Sequence, residues 1–256
     1  MNKYPMPKII CAFLVFCWLV PAQAHNPLPE TVDQVRPGVV AVGVYNPLGS
    51  PRQEFRGTGF VVGNGHQVIT NHHVLPKKLS DKHKEVIAVF SGRGNKVRVH
   101  EARVLAKDLS NDLALLYISN PLPALQLAKP GSVREGEQIA FTGFPLGMVL
   151  GLYPVTHQGI ISAIIPLAQP QISSKAITPD MLRSMRASSM TLQLDATAYP
   201  GNSGSAVYLR SSGKVVGVLN SVWVKENKES VMQKPSGISY AIPVRHVHEL
   251  LKKAGR

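Results

Sequence analysis

The chain has 256 residues, of which 44% are hydrophobic, and its formal net charge at pH 7 is +13. A chain of this length can bury a core without disulfide bonds, so it need not belong to the small disulfide-dependent secreted domains. The basic charge suits an anionic surface or polymer, but the basic residues are scattered and not interleaved with aromatic ones, which gives no support for a specific nucleic-acid site.

The first 24 residues have the pattern of a cleavable signal peptide. Lys3 and Lys8 precede an apolar run at 9–20, and Pro21-Ala22-Gln23-Ala24 follows it. The run has twelve residues, whereas a membrane-spanning helix needs about twenty. We therefore expect cleavage after Ala24 and a periplasmic or secreted protein that is not an integral membrane protein.

Cleavage would remove both cysteines and two lysines. Taking 24 residues from 256 leaves 232 with no cysteine and with 26 basic and 15 acidic residues, a net charge of +11. The densest basic cluster comprises Lys77, Lys78, Lys82, His83 and Lys84. A run of this kind favours a solvated loop.

Short apolar runs bounded by turn residues predict strands in two sets. The first set is 39–45, 59–62, 67–70, 86–90, 96–104 and 113–118, and the second is 138–143, 158–165, 190–194, 205–209, 214–224 and 237–242. Six strands in each set predict an all-β fold of two antiparallel barrels or sandwiches. Asn120-Pro121-Leu122-Pro123 is a plausible linker, which gives an N-terminal half at 25–119 and a C-terminal half at 120–256.

Helix signals are few. Residues 179–186 are consistent with a short helix within a long loop at 166–189. At 243–254, Pro stands near the start, Val244, Val247, Leu250 and Leu251 form an apolar stripe, and two lysines stand near the end. This pattern predicts a terminal helix that packs on the barrels.

The segment 199–205, Tyr-Pro-Gly-Asn-Ser-Gly-Ser, has the composition of a nucleophile loop. A serine becomes a useful nucleophile when a tight turn exposes it and backbone N–H groups receive the oxyanion formed on the substrate. Gly201 and Gly204 flank Ser203 as such a turn requires. An ordinary turn has a similar composition, so partners elsewhere in the chain must decide.

A general base and an orienting carboxylate have candidates in the first half. His72 and His73 follow the strand predicted at 67–70, and Asp108 and Asp112 precede the strand predicted at 113–118. Adjacent side chains at a strand end point to different sides, so only one histidine should face a cleft. Zinc is the competing interpretation of the histidines, but no cysteine would remain after cleavage and no two histidines lie four apart on a predicted helix, so we expect no metal or cofactor.

Together these segments resemble the trypsin-like serine peptidases, and specifically the protease domain of the HtrA/Deg family. The motifs occur in the family's order: RGTGFVV at 56–62, ITNHHV at 69–74, NDLALL at 111–116, FPLG at 144–147, QGIISA at 158–163 and SYAIP at 239–243. Each motif alone is only weakly specific for the family, but the occurrence of all of them in the same order is a strong signal. The resemblance implies the chymotrypsin-like fold of two six-stranded barrels.

The resemblance also implies roles for individual residues. His73, directly before valine, is the expected general base, Asp112, directly before Leu-Ala-Leu, the orienting group, and Ser203 the nucleophile. The backbone N–H groups of Gly201 and Ser203 would form the oxyanion hole. The family usually has glycine where this chain has Ser205.

By the same analogy, Thr197 lies at the base of the primary specificity pocket, and Ala198, Asn220 and Val222 line its walls. The absence of an acid at 197 argues against cleavage after Lys or Arg. Val222, in place of a glycine, should make the pocket shallow, so we expect cleavage after small or medium uncharged residues.

Two functions follow. The first is an exported serine endopeptidase acting on proteins or peptides. The second is a weakly active or inactive protein of the same fold that binds peptides, unfolded proteins or anionic envelope polymers. The order histidine, aspartate, serine argues against an α/β-hydrolase esterase. Family members usually continue into PDZ domains, which we do not expect within these 256 residues, and trimerisation is not assumed.

Overall fold

The computed structural model describes residues 27–94, 96–145, 151–166, 190–220 and 237–255. The predicted signal peptide, the predicted helix at 179–186 and Val222 lie outside these ranges. None of the described helices is long and apolar enough to cross a membrane.

The first half forms a closed antiparallel barrel. A helix, α1 (Leu28–Val35), precedes six strands, which pair in the closed order β1-β2-β3-β6-β5-β4. Their bounds are β1 (Val39–Tyr45), β2 (Gln53–Val62), β3 (Gln67–Asn71), β4 (Val86–Arg93), β5 (Lys96–Asp108) and β6 (Leu113–Ile118).

The second half forms another closed antiparallel barrel, with the strand order β10-β11-β12-β9-β8-β7. Its strands are β7 (Gln138–Gly143), β8 (Val155–Pro166), β9 (Met190–Asp195), β10 (Ala206–Leu209), β11 (Val215–Asn220) and β12 (Ile238–Pro243), and the predicted terminal helix follows as α2 (Val244–Ala254). The prediction of two six-stranded barrels with a C-terminal helix is confirmed.

Several strands depart from the predicted bounds. β2 begins at Gln53 and not at residue 59, because its polar start pairs with the end of β1. β5 continues to Asp108 through a bulge between Val104 and Ala106, and β8 begins at Val155. Helix α1 was not predicted; it starts at Leu28, shortly after the predicted cleavage site.

Among the described residues the hydrophobic core has three parts, and one of them joins the two barrels. Alternate residues of β1 belong to different parts: Val40 and Val42 lie in a cluster confined to the first barrel, whereas Val39 and Ala41 lie in the shared cluster. The shared cluster also contains Tyr208 of the second barrel and Val247 of α2. Both faces of β1 are therefore buried, and the site described next lies where the barrels meet.

Candidate active site

His73 lies in a 3₁₀ turn, His72–Val74, that begins where β3 ends. Its ring Nδ1 is 2.6 Å from Asp112 Oδ2, and its backbone N–H donates to Asp112 Oδ1 at 2.9 Å. The neighbouring His72 uses its backbone N–H to contact the Asp112 carbonyl at 3.0 Å. Of the two histidines, the structure therefore pairs His73 with the carboxylate.

Asp112 has a left-handed backbone, with φ of +52°, in the turn between β5 and β6. Asn71 Nδ2 donates to its carbonyl oxygen at 3.0 Å, which holds this turn against the end of β3. The other candidate, Asp108, accepts bonds from the backbone N–H and side-chain amide of Asn111 at 3.1 and 2.7 Å. Asp108 stabilises the turn, whereas Asp112 contacts the imidazole.

Asn220, at the end of β11, is fully buried and donates from Nδ2 to Asp112 Oδ2 at 2.9 Å. The Asp112 carboxylate thus accepts three hydrogen bonds, two from His73 and one from Asn220. The analogy predicts that Asn220 lines the wall of the specificity pocket, which stays a prediction; in the structure its amide donates to Asp112. No local pattern in the sequence signals this contact, because 108 positions separate the two residues.

Ser203 lies in a double turn. Asn202 donates its N–H to the carbonyl of Tyr199 at 3.0 Å, and Ser205 donates to the carbonyl of Asn202 at 3.0 Å. Gly201 and Gly204 have φ of +99° and +88°, values that side-chain-bearing residues rarely adopt. A β-carbon on Gly204 would also clash with the backbone carbonyl of Thr58.

Contacts from both barrels fix this loop. The Thr58 backbone N–H donates to the Ser203 carbonyl at 2.8 Å, its hydroxyl donates to the Gly201 carbonyl at 2.7 Å, and Gly204 N–H donates to the Leu219 carbonyl at 2.9 Å. Leu219 directly precedes Asn220, the partner of Asp112. Ser203 itself is only 5% exposed.

Gly57 allows the His73 turn and the Ser203 loop to approach each other. A β-carbon at this position would lie 2.6 Å from Val74 Cγ2 and 3.0 Å from the Ser203 carbonyl oxygen. The structure therefore brings the three predicted residues into one cluster between the barrels, with His73 and Asp112 in direct contact.

Gly201 also bears on the expected oxyanion hole. Within the described part of the chain, its N–H has no hydrogen-bond acceptor, while its carbonyl is held by Thr58. An N–H that no protein acceptor occupies is available to stabilise a developing oxyanion.

The expected pocket residues Thr197 and Ala198 lie between β9 and the Ser203 loop, and both are half-buried. Ala198 packs against the core of the second barrel.

His157 on β8 is a neighbour of the loop that the sequence analysis did not identify. Its ring stacks on Phe141 at 5.0 Å between centroids and contacts Tyr199 at 5.6 Å. Burial lowers the pKa of the His157 imidazole below the ordinary histidine value. One histidine on a strand does not indicate from the sequence that its ring packs between Phe141 and Tyr199.

Ser205 occurs where the HtrA/Deg family usually has glycine. In the structure its hydroxyl lies beside Gly143. The residue is fully buried, and a β-carbon on Gly143 of β7 would clash with Ser205 Oγ. Gly143 therefore leaves the space that the hydroxyl occupies. Among the described residues, no group of three or more His, Cys, Asp or Glu side chains could hold a metal ion.

Comparison with known proteins places this geometry in context. The family profile described as "Trypsin-like peptidase domain" matches residues 57–218. The chain is 27% identical over 252 residues to the bovine protein "Serine protease HTRA2, mitochondrial", covering 96% of this chain and 47% of the relative. It is 26% identical over 216 residues to "Probable periplasmic serine endoprotease DegP-like" of Ectopseudomonas mendocina, covering 82% of this chain and 38% of the relative.

A solved structure, "HtrA-type protease AlgWS227A with tripeptide", is similar in fold. The TM-score is 0.61 at 22% identity, and the match covers 88% of this chain and 62% of that one. The chain spans about half the length of the bovine relative and less of the bacterial one.

Proposed function

Since the chain belongs to the trypsin-like peptidase family and is similar to HtrA-type proteases over most of its length, we propose that it is an exported serine endopeptidase. The proposed residues are Ser203 as nucleophile, His73 as general base and acid, and Asp112 as orienting group. The observation that carries the proposal is the double hydrogen bond from His73 to the Asp112 carboxylate, beside a glycine turn that presents Ser203.

The chemistry follows from this arrangement. Ser203 Oγ attacks the scissile carbonyl while His73 Nε2 accepts the hydroxyl proton, and the oxyanion is stabilised by the N–H groups of Gly201 and Ser203. The C–N bond then breaks, His73 returns the proton to the leaving amine, and an acyl-enzyme remains. Water, deprotonated by His73, hydrolyses the ester and regenerates Ser203.

Asp112 acts through His73. Its carboxylate accepts a hydrogen bond from Nδ1–H, which keeps the proton on Nδ1 and leaves Nε2 able to act as a base. The same carboxylate stabilises the imidazolium that forms in each step. Each oxyanion donor is expected to contribute about 2.7 to 4 kcal/mol of transition-state stabilisation.

The proposed substrates are cleaved after small or medium uncharged residues. Thr197 offers a hydroxyl and no carboxylate at the expected base of the pocket, so no charge there selects Lys or Arg.

Digestion of an unfolded protein by the purified mature chain tests the proposed function. We expect new termini, identified by mass spectrometry, that follow mainly Ala, Val, Thr, Ser or Leu, and none with Ser203→Ala protein. Cuts mainly after Arg, Lys or aromatic residues would reject the specificity. Binding of the unfolded protein by the wild type without any cleavage would favour the non-enzymatic alternative.

Export is proposed from the pattern in residues 1–24. The similarity to a protein described as periplasmic supports it. The full sequence expressed in a Gram-negative host should yield a periplasmic protein that begins at His25. A product that retains residues 1–24 in the cytoplasm would contradict the proposal.

A further inference from the structure

A lysine-rich loop, residues 76–85, follows the His73 turn. Four of its lysines are exposed, and none of them has an ion-pair partner in the described ranges of the chain: Lys77, Lys78, Lys82 and Lys84. Asp81 and Glu85 offset two of the four charges. The Glu85 carboxylate is already occupied, since it accepts the Ser80 N–H at 2.8 Å and the Asn46 side-chain amide at 3.5 Å.

The segment that leads into the loop is held beside the site. Leu75 N–H donates to the His72 carbonyl at 3.1 Å, and Arg56 Nε donates to the Val74 carbonyl at 2.9 Å, so the chain leaves the His73 turn from a held position. Lys77 is only four positions after His73, which limits the distance between their Cα atoms to about 14 Å. A lysine side chain and an extended substrate can meet within that distance.

The reaction determines which part of the substrate passes this loop. The acyl part is held at the oxyanion donors of the Ser203 loop, whereas the leaving amine receives its proton from His73. The residues that follow the scissile bond therefore start at His73 and continue past the elements that flank it. The loop at 76–85 is one of those elements.

We propose that this loop selects substrates with acidic side chains in the two or three residues after the scissile bond. The proposal rests on the proposed protease function and names its substrate class. It also replaces the interpretation of the lysine cluster as a merely solvated loop, because the cluster borders the path of the leaving segment.

A peptide series tests the selection. The peptides share one sequence up to the scissile bond and carry Asp, Asn or Lys at the second and third positions after it. We expect kcat/KM to be roughly fivefold higher for the Asp peptide than for the Asn peptide at low salt. The difference should nearly disappear at 1 M salt, where the screening length is about 3 Å.

Two charge-matched variants separate the loop from the net charge. Changing all four loop lysines to Gln should abolish the preference and leave the Asn peptide within about twofold. Changing four other exposed lysines to Gln should preserve it; these are Lys129, Lys214, Lys252 and Lys253. Equal rates on Asp and Asn peptides, or equal losses in both variants, would overturn the proposal.

Peptide affinity measured with Ser203→Ala protein keeps the two proposals apart, because it requires no turnover. Tighter binding of the Asp peptide than of the Asn peptide, lost in the loop variant, supports the role of the loop. If the wild type hydrolyses none of the peptides, that result rejects the protease function and leaves this binding result valid. If the loop variant instead keeps its peptide preference and loses binding to phosphatidylglycerol vesicles, the lysines contact an anionic surface and the proposal is wrong.

Discussion

Replacing Asp112 by Asn should abolish most of the activity while leaving the fold in place. In the wild type, Oδ1 accepts the His73 backbone N–H at 2.9 Å, and Oδ2 lies 2.6 Å from His73 Nδ1 and 2.9 Å from Asn220 Nδ2. All three partners are donors in the productive state. An amide has one acceptor oxygen, so one side of the Asn must present N–H to a donor.

Both orientations of the new amide are unfavourable. If its oxygen faces the His73 backbone, its NH₂ faces Nδ1 and forces the proton to Nε2, where it blocks acceptance of the serine proton. If the amide is flipped, its NH₂ opposes the His73 backbone N–H. The corresponding change in a Ser-His-Asp triad lowers kcat about 10⁴-fold, which is about 5.4 kcal/mol at 1.36 kcal/mol per decade.

Steady-state hydrolysis of a peptide substrate by wild type, Asp112→Asn and Asp108→Asn measures this effect. Asp108 contacts Asn111 and not His73, so its variant should retain activity within about twofold. Circular dichroism checks that both variants are folded. Activity of folded Asp112→Asn within tenfold of the wild type, or a larger loss in Asp108→Asn, would refute the reasoning.

Three further changes have expected outcomes. Gly204→Ala should lower the free energy of unfolding, measured by urea titration, by about 2 to 4 kcal/mol, because φ is +88° and the methyl group would clash with the Thr58 carbonyl. A loss under about 0.5 kcal/mol would contradict this. Asn220→Ala should cost about 1.5 to 3 kcal/mol at pH 7, where Asp112 loses a donor to its charged form, and an unchanged urea midpoint would count against that bond. The depressed pKa of His157 means that the folded state binds fewer protons than the unfolded state, so stability falls as pH drops from about 6.5 toward the folded-state pKa. His157→Gln should lose less stability than the wild type between pH 7.5 and 5, and equal losses would show that His157 does not contribute.

The fold was predictable because its signals are local. Short apolar runs and turn residues mark each strand, and the order of the motifs indicates the two-barrel family. The start of β2 was missed because three of the four residues at Gln53–Arg56 are polar, and its strand geometry comes from pairing with β1. Tertiary contacts override local composition at such positions.

For the candidate site, the sequence predicted the types of the functional residues and their order along the chain. The choice of His73 over His72 and of Asp112 over Asp108 came from family resemblance, and the contacts in the structure are consistent with both choices. The direction of the Asn220 amide and the fit of Ser205 against Gly143 depend on residues far apart in the chain. Neither contact leaves a pattern in the sequence around either partner.

Labelling with a fluorophosphonate probe tests most directly whether Ser203 is an activated nucleophile. Intact-mass analysis of the mature chain should show one covalent adduct, which peptide mapping places on Ser203, and His73→Ala should slow its formation strongly while His72→Ala should not. Absence of an adduct on folded wild-type protein, with or without peptide present, or an adduct formed equally fast on the His73→Ala variant, would contradict the account.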